Sequence, residues 1–150
     1  MKMTSIAGVF AVMCASAALG QAVPVEVVQT EDGYELLRGG EPYFIRGAGA
    51  TRHIELLAER GGNSLRTWGA ESLEPREWPD GRVIFLMDRA NELDLTVCAG
   101  FWVQHFEGGY IHAGFDYDDP EAVERQIEDA REFARKWKDH PALLIWGVGN

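Results

Sequence analysis

Apolar and polar positions first alternate with tight-turn residues along the chain. Residues 25–28 are rich in valine and precede Asp32-Gly33, a pair that favours a two-residue hairpin turn. Residues 34–37 continue the apolar pattern up to a second turn at Gly39-Gly40. The pattern predicts a short β-hairpin over residues 23–40, followed by a strand over residues 43–45 that ends at residues 47–49.

From residue 54 onward the pattern alternates between helical and strand periods. Apolar residues recur at intervals of three and four over residues 83–93 and 123–137, which is the spacing of one helix face. Asp119-Pro120 predicts the start of the longest helix, because Asp caps helices and Pro fits the first turn. A short helix is predicted over residues 54–58. Buried strands are predicted over residues 95–101 and 142–148, and a shorter strand over residues 63–68.

This order of elements predicts an α/β fold with parallel strands and right-handed crossovers. The loops that follow strands are long, at residues 69–81 and 102–119, whereas the loops that follow helices are short. Ligand sites in parallel α/β folds lie at the carboxyl ends of the strands. Aromatic rings in these long loops suit stacking on sugars or bases, and anchoring of the loops is an equally good interpretation of any one ring. The loop residues in question are Trp78, Trp102, His105, Tyr110, His112 and Tyr117.

The first 22 residues have the pattern of a secretory signal peptide. Lys2 provides the positive start, and an uncharged apolar run extends from residue 6 to residue 19. Gly20 and Ala22 fit cleavage after Ala22, and Ala18 and Gly20 fit cleavage after Gly20. The apolar run is shorter than a membrane-spanning helix requires, so no membrane insertion is expected once the signal is removed. The protein is therefore expected to be exported, to the periplasm or the extracellular space. Removal of the signal also removes Cys14 and leaves Cys98, which is interpreted as a small buried residue.

Charge and length narrow the class of protein further. The 150 residues carry 14 Lys+Arg against 24 Asp+Glu, a formal net charge of −10. This acidic chain lacks the excess of Lys and Arg that binding to nucleic acids or to anionic membranes requires. The length suits one domain but is too short for a complete eight-stranded β/α barrel.

Three other chemistries receive little support. The spacing of the candidate metal ligands matches no known metal site; these residues are His105, Glu107, His112 and Asp116. A metal-assisted hydrolase that uses His105 and His112 is therefore a weak alternative. No G-x-S-x-G turn supports a serine nucleophile. The glycines of residues 47–49 follow a predicted strand, but the third glycine of a dinucleotide loop is missing.

Three segments together resemble the catalytic barrel of family 2 glycoside hydrolases and their clan A relatives. Residues 41–47 (EPYFIRG) look like the start of that barrel. Residues 63–68 (NSLRTW) are similar to the motif of its second strand, and residues 139–150 (DHPALLIWGVGN) to its passage from helix to fourth strand. The resemblance implies a partial (β/α)8 TIM barrel of about the first four β/α units over residues 41–150, preceded by the short hairpin.

The resemblance also implies a function and a set of site residues. The family hydrolyses O-glycosidic bonds in carbohydrates with two carboxylates and without a metal or organic cofactor. By that resemblance Arg66 orients the nucleophilic carboxylate and Asn150 binds the sugar 2-hydroxyl. Trp68, Trp102 and His105 line the sugar subsite. The acid/base Glu is expected directly after Asn150 and the nucleophile further on, so no catalytic carboxylate is assigned within residues 1–150.

Two expectations follow from that placement. A half barrel leaves open strand edges, so the 150 residues alone are expected to be marginally stable or to aggregate, and to be inactive. A cooperative urea transition of about 5 kcal/mol or more would contradict this expectation. The alternative function is a non-catalytic secreted glycan-binding α/β module, which the aromatic loops support equally well and which requires stable folding of the short chain.

Overall fold

The computed structural model describes residues 21–77, 81–104 and 114–149 of the chain. Nine strands and three α-helices are found in these ranges, with a 3₁₀ turn at Ala70–Leu73. In chain order they are β1 (Val25–Thr30), β2 (Gly33–Arg38), β3 (Glu41–Pro42), β4 (Gly47–Gly49), α1 (Ile54–Glu59), β5 (Ser64–Arg66), β6 (Arg76–Glu77), β7 (Val83–Ile84), α2 (Leu86–Glu92), β8 (Thr96–Phe101), α3 (Pro120–Trp137) and β9 (Leu143–Val148).

The N-terminal strands form an antiparallel sheet in the order β1-β2-β3. The first residue pair of the two strands is Val25 with Arg38 and the last is Thr30 with Gly33, so the two-residue turn is Glu31-Asp32, one position earlier than the predicted Asp32-Gly33. Gly39 and Gly40 both have positive φ, 62° and 84°, so the second tight turn occurs at the two residues that adopt this conformation most readily. The predicted hairpin is thus extended by a third, two-residue strand.

The strand predicted over residues 43–45 is wrong, because the side chain of Asn63 takes the place of a strand partner there. The Asn63 amide donates to the carbonyl of Phe44 at 2.9 Å and accepts from the N–H of Arg46 at 2.7 Å. Its main chain pairs with the same segment, donating to the Arg46 carbonyl at 2.8 Å. Strand pairing resumes only at β4. An amide side chain that replaces a peptide group is not visible in hydrophobic periodicity.

A four-stranded parallel sheet in the order β4-β5-β8-β9 forms the centre of the described structure. The helices α1, α2 and α3 each connect one strand to the next, which confirms the predicted α/β class. The core lies between the helices and one face of this sheet, because Leu65, Val97 and Ala99 of the strands pack with the apolar stripes of the helices. Met87 and Ala90 of α2 and Phe133 and Trp137 of α3 complete that core.

Two further predictions, the start of the second helix and the burial of the last strand, need correction. The helix predicted over residues 83–93 begins only at Leu86, because Val83 and Ile84 pair antiparallel with Arg76 and Glu77. Burial of residues 142–148 on both faces is also wrong. Ala142, Leu143 and Leu144 are buried, but Ile145, Trp146 and Val148 are exposed, because the helices cover only one face of the described sheet and Ile145 lies on the other.

The helix α3 begins as its sequence predicts. Asp119 caps it by accepting from the N–H of Glu121 at 2.9 Å, and Pro120 occupies the first turn. Arg125 lies 3.8 Å from Glu121, an exposed i,i+4 pair worth a few tenths of a kcal/mol. Lys136 donates to both carboxylate oxygens of Glu74, at 2.6 and 2.8 Å, and so ties α3 to the loop after β5.

Candidate carbohydrate site at the carboxyl ends of the strands

The carboxyl half of the parallel sheet presents a row of paired residues on the face away from the helices. Arg66 pairs with Gly49 of β4 on one side and with Cys98 of β8 on the other, and Cys98 pairs with Ile145 of β9. Paired residues of a parallel sheet share a face, and the flanking pair Leu65–Val97 is buried against the helices. The side chains of Arg66, Cys98 and Ile145 therefore lie on the opposite, open face.

A buried hydroxyl holds β5 against β8 at the end of the ladder. The N–H of Thr67 donates to the Cys98 carbonyl at 3.1 Å, and the N–H of Gly100 donates to the Thr67 hydroxyl at 2.9 Å. A Cβ on Gly100 would come within 2.3 Å of the Thr67 carbonyl oxygen and 2.6 Å of the Trp68 main chain. Because Gly100 has no side chain, the main chain of Thr67 and Trp68 can lie directly against it. This contact fixes the direction of the chain between Arg66 and Trp68.

Trp68 folds back across the sheet and lies over Gly49. A Cβ on Gly49 would meet Cη2 of the Trp68 ring at 2.4 Å and Cζ2 at 2.9 Å. The indole remains 42% exposed, so part of its surface is open to a ligand. The Arg66 guanidinium carbon lies 5.7 Å from the centre of the same ring, within the range of a cation–π interaction. The structure thus brings two predicted site residues together at the carboxyl end of β5.

Cys98 is half-buried beneath this pair. Burial raises the pKa of the Cys98 thiol, and the positive charge of Arg66 opposes part of that rise. A raised pKa disfavours the thiolate, which is the nucleophilic form. The prediction of a buried residue is only partly met, because Cys98 lies on the face of the sheet away from the helices and its side chain is partly exposed. A Cβ on Gly147 would lie 3.4 Å from the Cys98 sulfur, so that glycine also faces the open side.

The loop after β8 begins with Trp102, which is half-buried. The N–H of Gly149, at the end of β9, donates to the Phe101 carbonyl at 3.0 Å, so the end of β9 lies beside the start of this loop. Tyr117 acts as an anchor: its hydroxyl donates to the Gln104 carbonyl, and its ring packs edge-on against the buried Phe115 with 4.6 Å between ring centroids. The anchoring interpretation of the loop aromatics therefore holds for Tyr117.

The remaining predicted site residues, His105 and Asn150, lie outside the described residues, as do Trp78, Tyr110 and His112. Their proposed roles stay predictions. Within the described ranges, no group of three or more His, Cys, Asp or Glu side chains is arranged to hold a metal ion. In the same ranges no helix is both long enough and apolar enough to cross a membrane.

The roles of three residues, Gly47, Gly49 and Thr67, were missed in the sequence. The glycines of residues 47–49 form β4 itself and not a dinucleotide loop. A Cβ on Gly47 would lie 2.5 Å from the Ser64 carbonyl oxygen, so this glycine permits close strand packing, while Gly49 permits the placement of Trp68. Glycine within a strand is the signal for such close approach. Thr67 lies within the motif of residues 63–68, but the sequence assigned it no role, because that role depends on the strand beside it.

The fold defines a class, a parallel α/β protein, and the contact between Arg66 and Trp68 marks a candidate site at the carboxyl ends of the strands. The family described as glycosyl hydrolases family 2, TIM barrel domain, matches residues 48–150, which is more than half of the chain. The chain therefore belongs to this family of glycosyl hydrolases. A search of curated proteins gives no match.

Proposed function

We propose that this chain supplies the substrate-binding part of the active site of an exported glycoside hydrolase that cleaves O-glycosidic bonds in carbohydrates. The observation that carries the proposal is the pairing of Arg66 with Trp68 at the carboxyl end of β5, inside the segment that matches the family. The proposed reaction retains anomeric configuration. One carboxylate protonates the leaving oxygen and a second attacks the anomeric carbon, with the two about 5–5.5 Å apart.

Arg66 suits the role of holding the nucleophilic carboxylate. A guanidinium stays charged, and its planar set of donors matches the two oxygens of a carboxylate. Its place on the open face of the sheet directs it toward the interior of the proposed barrel, of which residues 41–150 would form the first four β/α units. The acid/base Glu is proposed to follow Asn150 directly, and Asn150 to bind the sugar 2-hydroxyl.

Trp68 and Trp102 suit the sugar subsite, together with His105. The exposed part of the Trp68 indole offers a flat apolar surface, and sugars present flat C–H faces that pack on such rings. The half-buried Trp102 follows the neighbouring strand β8 at the same edge of the sheet. No metal or organic cofactor is included in the proposed mechanism.

The test uses the complete open reading frame that contains residues 1–150, expressed with its own leader. Hydrolysis of a panel of 4-methylumbelliferyl glycosides identifies the sugar, and ¹H NMR of the first anomer released distinguishes retention from inversion. Arg66→Lys is expected to lower kcat/KM at least 100-fold, because the fork that orients the carboxylate is lost. Arg60→Lys is the matched control, an exposed arginine at the end of α1.

Three results would contradict the proposal. They are no hydrolysis of any glycoside in the panel, an inverted first product, and equal activity of the Arg66→Lys and wild-type proteins. Saturable glycan binding without hydrolysis would favour the non-catalytic glycan-binding module instead. Loss of that binding in Trp102→Ala would locate it at the same edge of the sheet.

A further inference from the structure

Gly49, Trp68 and Arg66 form one contact unit, which we call the Gly49–Trp68–Arg66 stack. The indole of Trp68 lies on Gly49, and the guanidinium of Arg66 lies 5.7 Å from the indole centre. Gly49 and Arg66 are register partners on neighbouring strands, so the indole spans the two strand ends.

The requirement for glycine at position 49 comes from the indole and not from the backbone. Gly49 lies within β4 and does not adopt a left-handed φ, so its backbone accepts any L residue. The three atoms nearest to an added Cβ are Cη2, Cζ2 and Cζ3 of Trp68, at 2.4, 2.9 and 3.4 Å. These atoms belong to the outer six-membered ring of the indole, so a phenylalanine at position 68 reaches less far over position 49.

The other end of Trp68 is held through its main chain. Thr67 is fully buried, and its hydroxyl accepts a hydrogen bond from the N–H of Gly100. Because Gly100 has no side chain, the main chain of Thr67 and Trp68 lies against Gly100. The indole is therefore restrained at its backbone and at its outer ring. Such a restrained ring limits the positions that a flexible arginine stacked on it adopts.

We propose that Trp68 is a positioning residue that orients the Arg66 guanidinium from its seat on Gly49, in addition to any contact that it makes with sugar. This inference rests on the proposed function in one respect, that Arg66 is the group whose orientation the reaction requires. The stack itself does not depend on the reaction. Its effect on Arg66 is therefore measurable without substrate.

The first measurement is ¹H–¹⁵N NMR of the arginine Nε–Hε groups in the full chain, with the Arg66 signal assigned by its disappearance in Arg66→Lys. The ring current of Trp68 is expected to displace the Arg66 signal from the random-coil position. Trp68→Ala is expected to return it to that position, and the conservative Trp68→Phe to retain part of the displacement. Backbone amide dispersion reports whether each variant is folded.

Gly49→Ala provides a second, independent variant that leaves Trp68 and Arg66 unchanged in sequence. The added methyl group is expected to push the indole aside and move the Arg66 signal toward that of Trp68→Ala. The double variant Gly49→Ala/Trp68→Phe is expected to recover the signal of Trp68→Phe alone, because the clashing atoms are absent. An unchanged Arg66 signal in folded Trp68→Ala or folded Gly49→Ala would overturn the inference.

Kinetics on the same glycosides separate positioning from sugar stacking. A positioning role predicts that Trp68→Phe lowers kcat about 10-fold with KM little changed, because binding survives while the carboxylate loses its oriented partner. A rise in KM alone would overturn the positioning role and leave Trp68 as a sugar platform. Failure of the proposed function is recognised separately, as absence of hydrolysis while the NMR displacement of Arg66 persists.

Discussion

The hydroxyl of Tyr43 donates to the main-chain oxygen of Asn63 across 2.8 Å and lies 3.1 Å from the Thr96 hydroxyl. These partners mark the amino ends of β5 and β8, so the segment after the N-terminal sheet is attached at the end of the parallel sheet opposite to the site. Arg38 adds a third connection, donating to the Pro141 carbonyl just before β9 at 3.1 Å.

Tyr43→Phe is expected to lower the free energy of unfolding by about 1–2 kcal/mol, because the oxygen of Asn63 loses a partly buried hydrogen bond. Urea unfolding followed by circular dichroism measures this change. Tyr34→Phe is the matched control, since Tyr34 is 77% exposed and its change should stay within about 0.5 kcal/mol. Equal effects of the two substitutions would argue against the role assigned to Tyr43.

Thr67→Val is expected to destabilise the protein by about 1–3 kcal/mol, because it leaves the N–H of Gly100 buried without its acceptor. Thr67→Ser keeps the hydroxyl and is expected to recover most of this loss. Thermal and urea unfolding of both variants provide the comparison. A valine variant as stable as the serine variant would show that the hydroxyl contributes nothing.

Asp119→Ala is expected to cost about 1 kcal/mol of stability, because the N–H of Glu121 loses its capping oxygen. Asp119→Asn retains a capping oxygen and should lie close to wild type. The helix signal in circular dichroism during urea unfolding measures both. An alanine variant indistinguishable from Asn would mean that the cap does not limit the stability of α3.

The thiol of Cys98 is expected to alkylate slowly at neutral pH, because burial raises its pKa. Arg66→Met removes a positive charge that favours the thiolate, so the inflection of the rate–pH profile should move to higher pH. Iodoacetamide labelling, followed by mass spectrometry of the proteolytic peptide that contains Cys98, measures the rate at this cysteine. Arg60→Met should leave the profile unchanged, and a shift to lower pH in Arg66→Met would contradict the assignment.

The mature protein is expected to begin at Val23, because residues 1–22 have the pattern of a cleaved signal peptide. Intact mass and N-terminal sequencing of protein recovered from the periplasm or the medium test this expectation. Ala22→Arg places a large residue directly before the bond that would be cleaved, so no protein that begins at residue 23 is expected from this variant. Recovery of wild-type protein that starts at Met1 would contradict export by this route.

The α/β class and the long helix were predictable because they depend on repeated, local signals. The apolar stripe of α3 and its Asp119-Pro120 start are both present in the structure. The segment of residues 43–45 was not predictable in this way. Its hydrogen bonds go to the side chain of Asn63, about twenty residues further on, and periodicity contains no information about such a partner.

The site was only partly predictable for a similar reason. Arg66 and Trp68 were selected from a motif, and the structure places them in contact at the end of β5, while their roles stay predictions. The contributions of Gly49, Thr67 and Gly100 arise from contacts between different strands. A single sequence shows these residues as ordinary strand and turn positions, because what they do depends on which strand lies beside them.

The glycines on the open face also define where the protein tolerates redesign. Gly49 and Gly100 admit no side chain without moving Trp68 or the main chain of Thr67. Gly147 differs, since an added methyl group there would make an ordinary contact of 3.4 Å with the Cys98 sulfur. A side chain can therefore be added to the open face at Gly147 with the least disturbance of the residues around it, whereas Gly49 and Gly100 are best left unchanged.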